Sequence, residues 1–450
     1  MADSPYFSRE EARAIAERIL GFSTADDTRV NITSGMEGNT RFAVNQVSTA
    51  GDVTNAAVAV TSAFGRRVAS ATTNRFDDES LRQVVQTSER LAGLVPEDPE
   101  YLGELTQQQY VETPGFFEST ASLDPATRAE AVRRVTEPAA RQNLLSTGFL
   151  SYLVGSTAVA NKRGLFAYHA ATRSNFTTTV RTPDGTGSGW AGVGHHDWNQ
   201  VNTAELGERA IRKAELSRNP RAVEPGRWTV ILEPTAVANM VSLMMFSMSA
   251  RQADEGRSFF SRPGGGTRIG ERFVDERVTI HSDPADSNLL NTPFSGEGLP
   301  NQRMSWIENG ALRNLVYDRF WAQKHNRAPT GFPSGYYMQG GNSSVDEMVA
   351  STERGLLVTR LWYIRSVDPR TILFTGLTRD GTFLVENGRI TTAVKNLRWN
   401  ESPIFVLNNI EAMGRPTRVS ASESGEVGNP VVVPAIKARD FTFTSLSDAV

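Results

Sequence analysis

The strongest constraint on this chain is a pair of long alternating runs that read as one hairpin. Leu145 to Val159 alternates apolar with small or polar side chains, Asn161-Lys-Arg-Gly164 follows, and the alternation resumes from Leu165 to Thr172 and through Asn175–Val180. Successive side chains of a strand point to opposite faces, so this pattern describes extended chain. A short Asn-x-x-Gly sequence between two such runs signals the turn that joins them.

Helix signals frame the runs. Ser8 with Glu11 forms a capping box, Ala12, Ile15, Ala16, Ile19 and Leu20 follow at helical spacing, and Gly21 marks the stop. A second helix opens at Asp77-Asp78 and uses Leu81, Val84, Val85, Ser88 and Leu91. A third is capped by Asp124-Pro125, with Pro138 expected to kink or end it, and a fourth spans 203–216. Short β-like segments at 29–33, 41–47, 56–60 and 67–70 are punctuated by Gly35, Gly38, Gly51 and Gly65. The segment from Val95 to Leu102, with two prolines and three acids, reads as a linker. We therefore expect an α+β chain in three parts. These are an N-terminal α/β module (1–95), a middle α+β segment with long strands (96–222) and a β-rich, barrel-like C-terminal domain (223–450).

With 450 residues, the chain is too long for one compact core. A formal net charge of -3 gives no global attraction to nucleic acid or an anionic membrane. Arg354, Arg360, Arg365 and Arg370 recur beside Trp362 and Tyr363, but nearby acids favour salt-bridged strands over nucleic-acid stacking. Arg379-Asp380-Gly381 reads as a hairpin turn. There is no Cys, which excludes disulfides, thiolate metal ligands and a thiol nucleophile. The N-terminus lacks a signal-peptide pattern, and the longest apolar run, Met240–Met248, is far short of a bilayer span, so a cytoplasmic location is expected.

One helix just past the middle of the chain decides the chemistry. It reads Thr235-Ala-Val-Ala-Asn-Met-Val-Ser-Leu-Met-Met-Phe-Ser-Met-Ser249, without a His or a Glu. Around it stands an ordered series: Trp228-Thr-Val-Ile-Leu-Glu-Pro, Gly256-Arg-Ser-Phe-Phe, Ser282-Asp-Pro, Gly296-Glu-Gly298 and Ile307-Glu-Asn-Gly-Ala-Leu312. Tyr317-Asp-Arg319, Pro329-Thr-Gly331, Thr375-Gly and Val385-Glu-Asn-Gly388 continue it. The series resembles the TldD/PmbA metallopeptidase family, and within it the TldE (PmbA) kind of subunit. Catalytic members carry a His-Glu-x-x-x-His zinc motif on this helix. Counting back from Ser258, its three functional positions fall on Val241, Ser242 and Phe246. A hydrolytic zinc needs about three protein ligands and a carboxylate base, and these residues supply neither.

The resemblance implies a chain inactive by itself that binds no cofactor. It implies a TldD-like His-Glu-x-x-x-His subunit as partner, with zinc in that partner, and unfolded or unstructured peptide as substrate. A homo-oligomeric peptide-binding protein of the same fold is the alternative. Peptide or partner contacts are expected at Gly296, Glu297, Gly298 and Asn342, on resemblance alone. A relocated hydrolase site would have to use His195, His196 and Asp197, which could meet one ion only in a loop. The Met-rich helix reads as packed core or interface, or as a soft surface for peptides. Strand addition at a sheet edge would suit peptide binding, though sequence names no edge.

Overall fold

The computed structural model describes residues 4–332, 335–419 and 429–447. The first helix, α1 (Arg9–Phe22), begins on the Ser8–Glu11 capping box. Then come strands β1 (Asp27–Ala43), β2 (Gln46–Phe64) and β3 (Arg67–Thr73), and helix α2 (Asp78–Leu94), N-capped by Asp77. The short α3 (Glu118–Ala121) precedes α4 (Pro125–Arg141), capped by Asp124. Helix α4 passes Pro138 and ends three residues later. Strands β4 (Leu145–Asn161), β5 (Phe166–Arg181) and β6 (Ser188–His195) lead to α5 (Thr203–Leu216).

These six strands form one antiparallel sheet in the order β3-β2-β1-β4-β5-β6, so residues on both sides of the proline-rich 95–102 segment share it. The β-like segments expected at 29–33 and 56–60 are parts of two strands of 17 and 19 residues, whereas the one expected at 41–47 contains the Val44-Asn45 turn that joins them. Gly35, Gly38 and Gly51 lie inside these strands, and of the four punctuating glycines Gly65 alone sits at a turn, with φ +59. The reason is steric: a Cβ on Gly35 would lie 2.6 Å from the Val154 carbonyl oxygen, and one on Gly38 would collide with the Tyr152 ring. Gly38 thus makes room for Tyr152, whose hydroxyl bonds Asp52, which in turn pairs with the buried Arg128 of α4 at 2.8 Å.

One face of the sheet is covered. Val30, Ile32, Val58 and Val60 pack against α1 and α2, while Tyr152, Val154, Phe176 and Val180 pack against α4 and α5. The opposite face, with Thr33, Gly35 and Glu37 of β1 opposed across the sheet to Thr157, Gly155 and Leu153 of β4, turns towards the C-terminal domain.

That domain opens with β7 (Gly226–Leu232) and helix α6 (Pro234–Phe246). A small sheet collects β8 (Ile280–Ser282), β9 (Met304–Glu308), β10 (Ala311–Leu312) and β11 (Tyr336–Met338). The chain goes on through β12 (Arg354–Asp368), β13 (Leu373–Glu386), β14 (Arg389–Ala393), β15 (Leu397–Glu401) and β16 (Ile410–Met413). Strands β17 (Thr417–Val419) and β18 (Val431–Val433) complete the small sheet, and β19 (Ile436–Leu446) follows. Strands β12, β7, β19, β15 and β13 pair in that order, and β13 pairs back onto β12, closing a five-stranded barrel. The α+β class with a barrel-like C-terminal domain is therefore observed.

Two local expectations change. Arg379-Asp380-Gly381 is no hairpin turn but part of β13, where positive φ at Asp380 and Gly381 accompanies a register shift against β12. Of the arginines along β12, Arg360 pairs with Asp380 at 3.0 Å, whereas Arg365 stacks on the Tyr363 ring.

Candidate functional site

Strand β7 delivers the chain through Glu233 and Pro234 into α6, and Pro at the first turn starts the helix without losing a hydrogen bond. Lys213 of α5 bonds Glu233 at 2.5 Å in a largely buried pair, fixing this entry against the first sheet. Met240, Met244, Met245 and Met248 are all buried in the barrel-side core, so the methionines are packing residues and not a peptide surface.

The three positions aligned with the zinc motif go to different places. Val241 is buried in that core. Ser242 lies 2.7 Å from the Tyr336 hydroxyl; that hydroxyl donates to the Ala238 carbonyl at 3.3 Å, which makes Ser242 the donor between the two. Phe246 is 68% exposed and stacks on Phe332, itself 45% exposed, with ring centroids 5.5 Å apart. An aliphatic group, a satisfied hydroxyl and a phenyl ring do not fit a zinc ion. Among the described residues no group of three or more His, Asp or Glu side chains is placed to hold a metal.

A cleft lies where the uncovered sheet face meets the loop 283–301 of the C-terminal domain. Two cavities of about 330 and 440 Å³ share Thr157, Arg173 and Thr292 in their walls. Gly35, Gly155, Ala57 and Ala171 floor the first; Phe294, Gly296 and Phe332 wall the second. Several bonds tie the two domains around the cleft. Asn31 donates to the Gly296 carbonyl at 2.7 Å, Tyr110 to the Gly298 carbonyl at 2.8 Å, and Arg173 to Asn291 Oδ1 at 3.1 Å.

The structure thus places Gly296 in the wall of the cleft and Gly298 beneath Tyr110. Gly298 has φ +79, and a Cβ there would reach Leu165 at 2.6 Å. Glu297 pairs with Arg319 at 3.1 Å. Asn342 sits exposed on the loop after β11, outside both cavities. His195 ends β6, His196 and Asp197 follow it in a bend, and each has its own partners. His196 Nδ1 lies 2.8 Å from the Thr172 carbonyl. His195 Nδ1 accepts from the Asp197 amide, and the Asp197 carboxylate takes the Ser119 hydroxyl and the Asn199 amide.

Electrostatically the region is positive. Burial lowers Arg173, and burial with the field of Arg173 brings Arg418 down to about 10. Arg418 bonds the Gly194 and Asn288 carbonyls, both at 2.6 Å. Burial and then the neighbouring guanidinium hold His169 to about 4, His195 to about 4 and His196 to about 3. Arg173 was not singled out in the sequence. Its signal would have been position: it shares the sheet face that Gly35, Gly155 and Ala171 leave shallow.

Fold and helix together define a class: an α+β scaffold with a closed C-terminal barrel, whose helix after the first barrel strand bears no metal ligands. Residues 118–218 match the PmbA/TldA metallopeptidase central domain, and residues 225–445 the PmbA/TldA metallopeptidase C-terminal domain. The chain belongs to the PmbA/TldD metallopeptidase family. Metalloprotease PmbA of Escherichia coli O157:H7 is 23% identical over 90% of this chain and 89% of its own. A metalloprotease of Methanothermobacter thermautotrophicus is 24% identical over 71% and 74%. A Methanocaldococcus jannaschii protein is 26% identical over 60% of this chain, and the match spans 62% of that relative's length. TldE from Thermococcus kodakarensis superposes with a TM-score of 0.83 at 18% identity, over 96% of this chain and 99% of that one. At that identity the likeness speaks for the fold.

Proposed function

We propose that this chain is a non-catalytic TldE/PmbA-like subunit, acting in proteolysis beside a TldD-type partner that carries the zinc. It encloses and handles unfolded or unstructured peptides in the cytoplasm, and the partner's His-Glu-x-x-x-His helix hydrolyses them. One observation carries the reading: where the family's catalytic members place two His and a Glu, this chain has Val241, Ser242 and Phe246, one buried, one hydrogen-bonded and one aromatic. The Phe246–Phe332 pair supports it too, because aromatic rings exposed together are the residues that subunit interfaces cover. No helix among the described residues is long and apolar enough to cross a membrane.

The test is affinity capture of the chain from its native cytosol, with mass spectrometry and zinc analysis of the eluate. The expected result is stoichiometric recovery of a zinc-bearing His-Glu-x-x-x-His protein. Recovery of this chain alone and metal-free would sink the partner reading in favour of a homo-oligomeric peptide-binding protein. Recovery alone with bound metal would overturn the non-catalytic reading.

A further inference from the structure

Among the described residues, the cleft contains a cation with no counter-charge. Arg173 sits on β5, partly buried, and lines both cavities. Its hydrogen bond goes to a neutral amide, Asn291 Oδ1. Among the described residues no carboxylate lies within ion-pair distance of it, whereas Arg29 and Arg319, also partly buried, each have one. A second partly buried guanidinium, that of Arg418, feels its field and bonds backbone carbonyls rather than an acid. A partly buried guanidinium that faces the cleft with no described counter-charge is placed to receive an anionic group.

The surroundings define that ligand. The floor beside Arg173 is made of Gly35, Gly155, Ala57 and Ala171, so an extended chain can lie close to the sheet. Thr157 and Thr292 offer hydroxyls where the two cavities meet, and His169 lines the same wall. The acid on this face, Glu37, is exposed and stands in the same cross-strand row as Leu153 and Arg173, two strands away, or about 10 Å. It is too far to neutralise the guanidinium, and it would repel an anion weakly.

We infer that the cleft holds a carboxylate-binding subsite in which Arg173, braced by Asn291, receives the carboxylate of an extended peptide. Guanidinium and carboxylate match as two parallel hydrogen bonds, which gives both charge and direction. The inference rests on the peptide-handling reading above and specifies the feature of the peptide that is recognised. Both a chain terminus and an Asp or Glu side chain present this chemistry.

The experiment measures fluorescence anisotropy of the full chain with three labelled Ala-Gly hexapeptides: C-terminal acid, C-terminal amide, and amide with one internal Glu. Either carboxylate-bearing peptide should bind at least about tenfold more tightly than the plain amide, the scale of one charge-assisted pair. Which of the two wins tells terminus from side chain. Arg173→Gln should erase the preference, Arg173→Lys should restore part of it, and Glu37→Gln should tighten the carboxylate peptide alone. Equal binding of all three, unchanged by Arg173→Gln, would overturn the subsite and leave peptide binding standing. If no peptide binds at all, the peptide-handling reading falls and the subsite falls with it.

Discussion

Acid should loosen this protein through its histidines, and the size of the effect can be worked out. His169, His195 and His196 are held to about 4, 4 and 3, by burial first and then by Arg173 or Arg418. In the unfolded chain a histidine titrates near 6.5. Between those values the unfolded state binds protons that the folded state refuses, so stability falls as pH falls below about 6.5. From pH 7.5 to 5.5 each such histidine forfeits about 1.4 kcal/mol, a figure that holds whenever its folded value lies well below 5.5. Three together give about 4 kcal/mol, a large share of the total stability of a typical domain. Glu104 and Glu401, both raised by burial, take up protons before the unfolded chain does and work in the opposite direction. A variant comparison separates the two contributions. Urea unfolding at constant ionic strength, at pH 7.5, 6.5 and 5.5, should show the parent losing about 4 kcal/mol more than the His169→Gln/His195→Gln/His196→Gln variant. Whatever the substitutions cost at pH 7.5 cancels, because the quantity compared is the change with pH. Equal losses in parent and variant would refute the argument.

Three further outcomes follow from particular contacts. Glu233→Gln strips the buried Lys213 of its counter-charge and should cost about 3–5 kcal/mol in urea unfolding, whereas Lys213→Met with Glu233→Met should cost far less. Gly35→Ala drives a methyl group to 2.6 Å from the Val154 carbonyl oxygen and should lower stability by about 1–3 kcal/mol; an unchanged melting temperature would contradict the close β1–β4 approach. Phe246→Ser removes an exposed ring and should move the melting temperature by no more than about 2 °C while weakening capture of the partner. Undiminished capture would take Phe246 out of the interface.

Local chemistry was legible in the sequence, and long-range pairing was not. Ser8, Asp77 and Asp124 announced their helices because a cap is decided within four residues. The 145–180 hairpin was legible for the same reason: turn and alternation are neighbours. Gly35 and Gly38 misled, because a glycine is demanded equally by a turn and by a neighbouring strand that comes too close for a side chain. Asp380 and Gly381 misled likewise: the positive φ was real, but the strand continued through it. The missing zinc ligands were plain from residue identity alone, while Arg173 was hidden, since its interest comes from the charges absent around it.

The barrel carries a kinetic consequence. Leu232 of β7 pairs with Ile436 of β19, a stave that arrives about two hundred residues later in the chain. Loop closure over that span is slow, and until it happens β7 and β15 both keep a raw backbone edge open beside a very apolar helix. The first sheet is built mainly from neighbours in sequence, and its one distant pairing, β1 with β4, closes over a shorter span. Refolding should therefore run in two phases, a fast one in the helix-covered sheet and a slow one at the barrel. During the slow phase, a free peptide copying β19 would compete for the gap and stall closure.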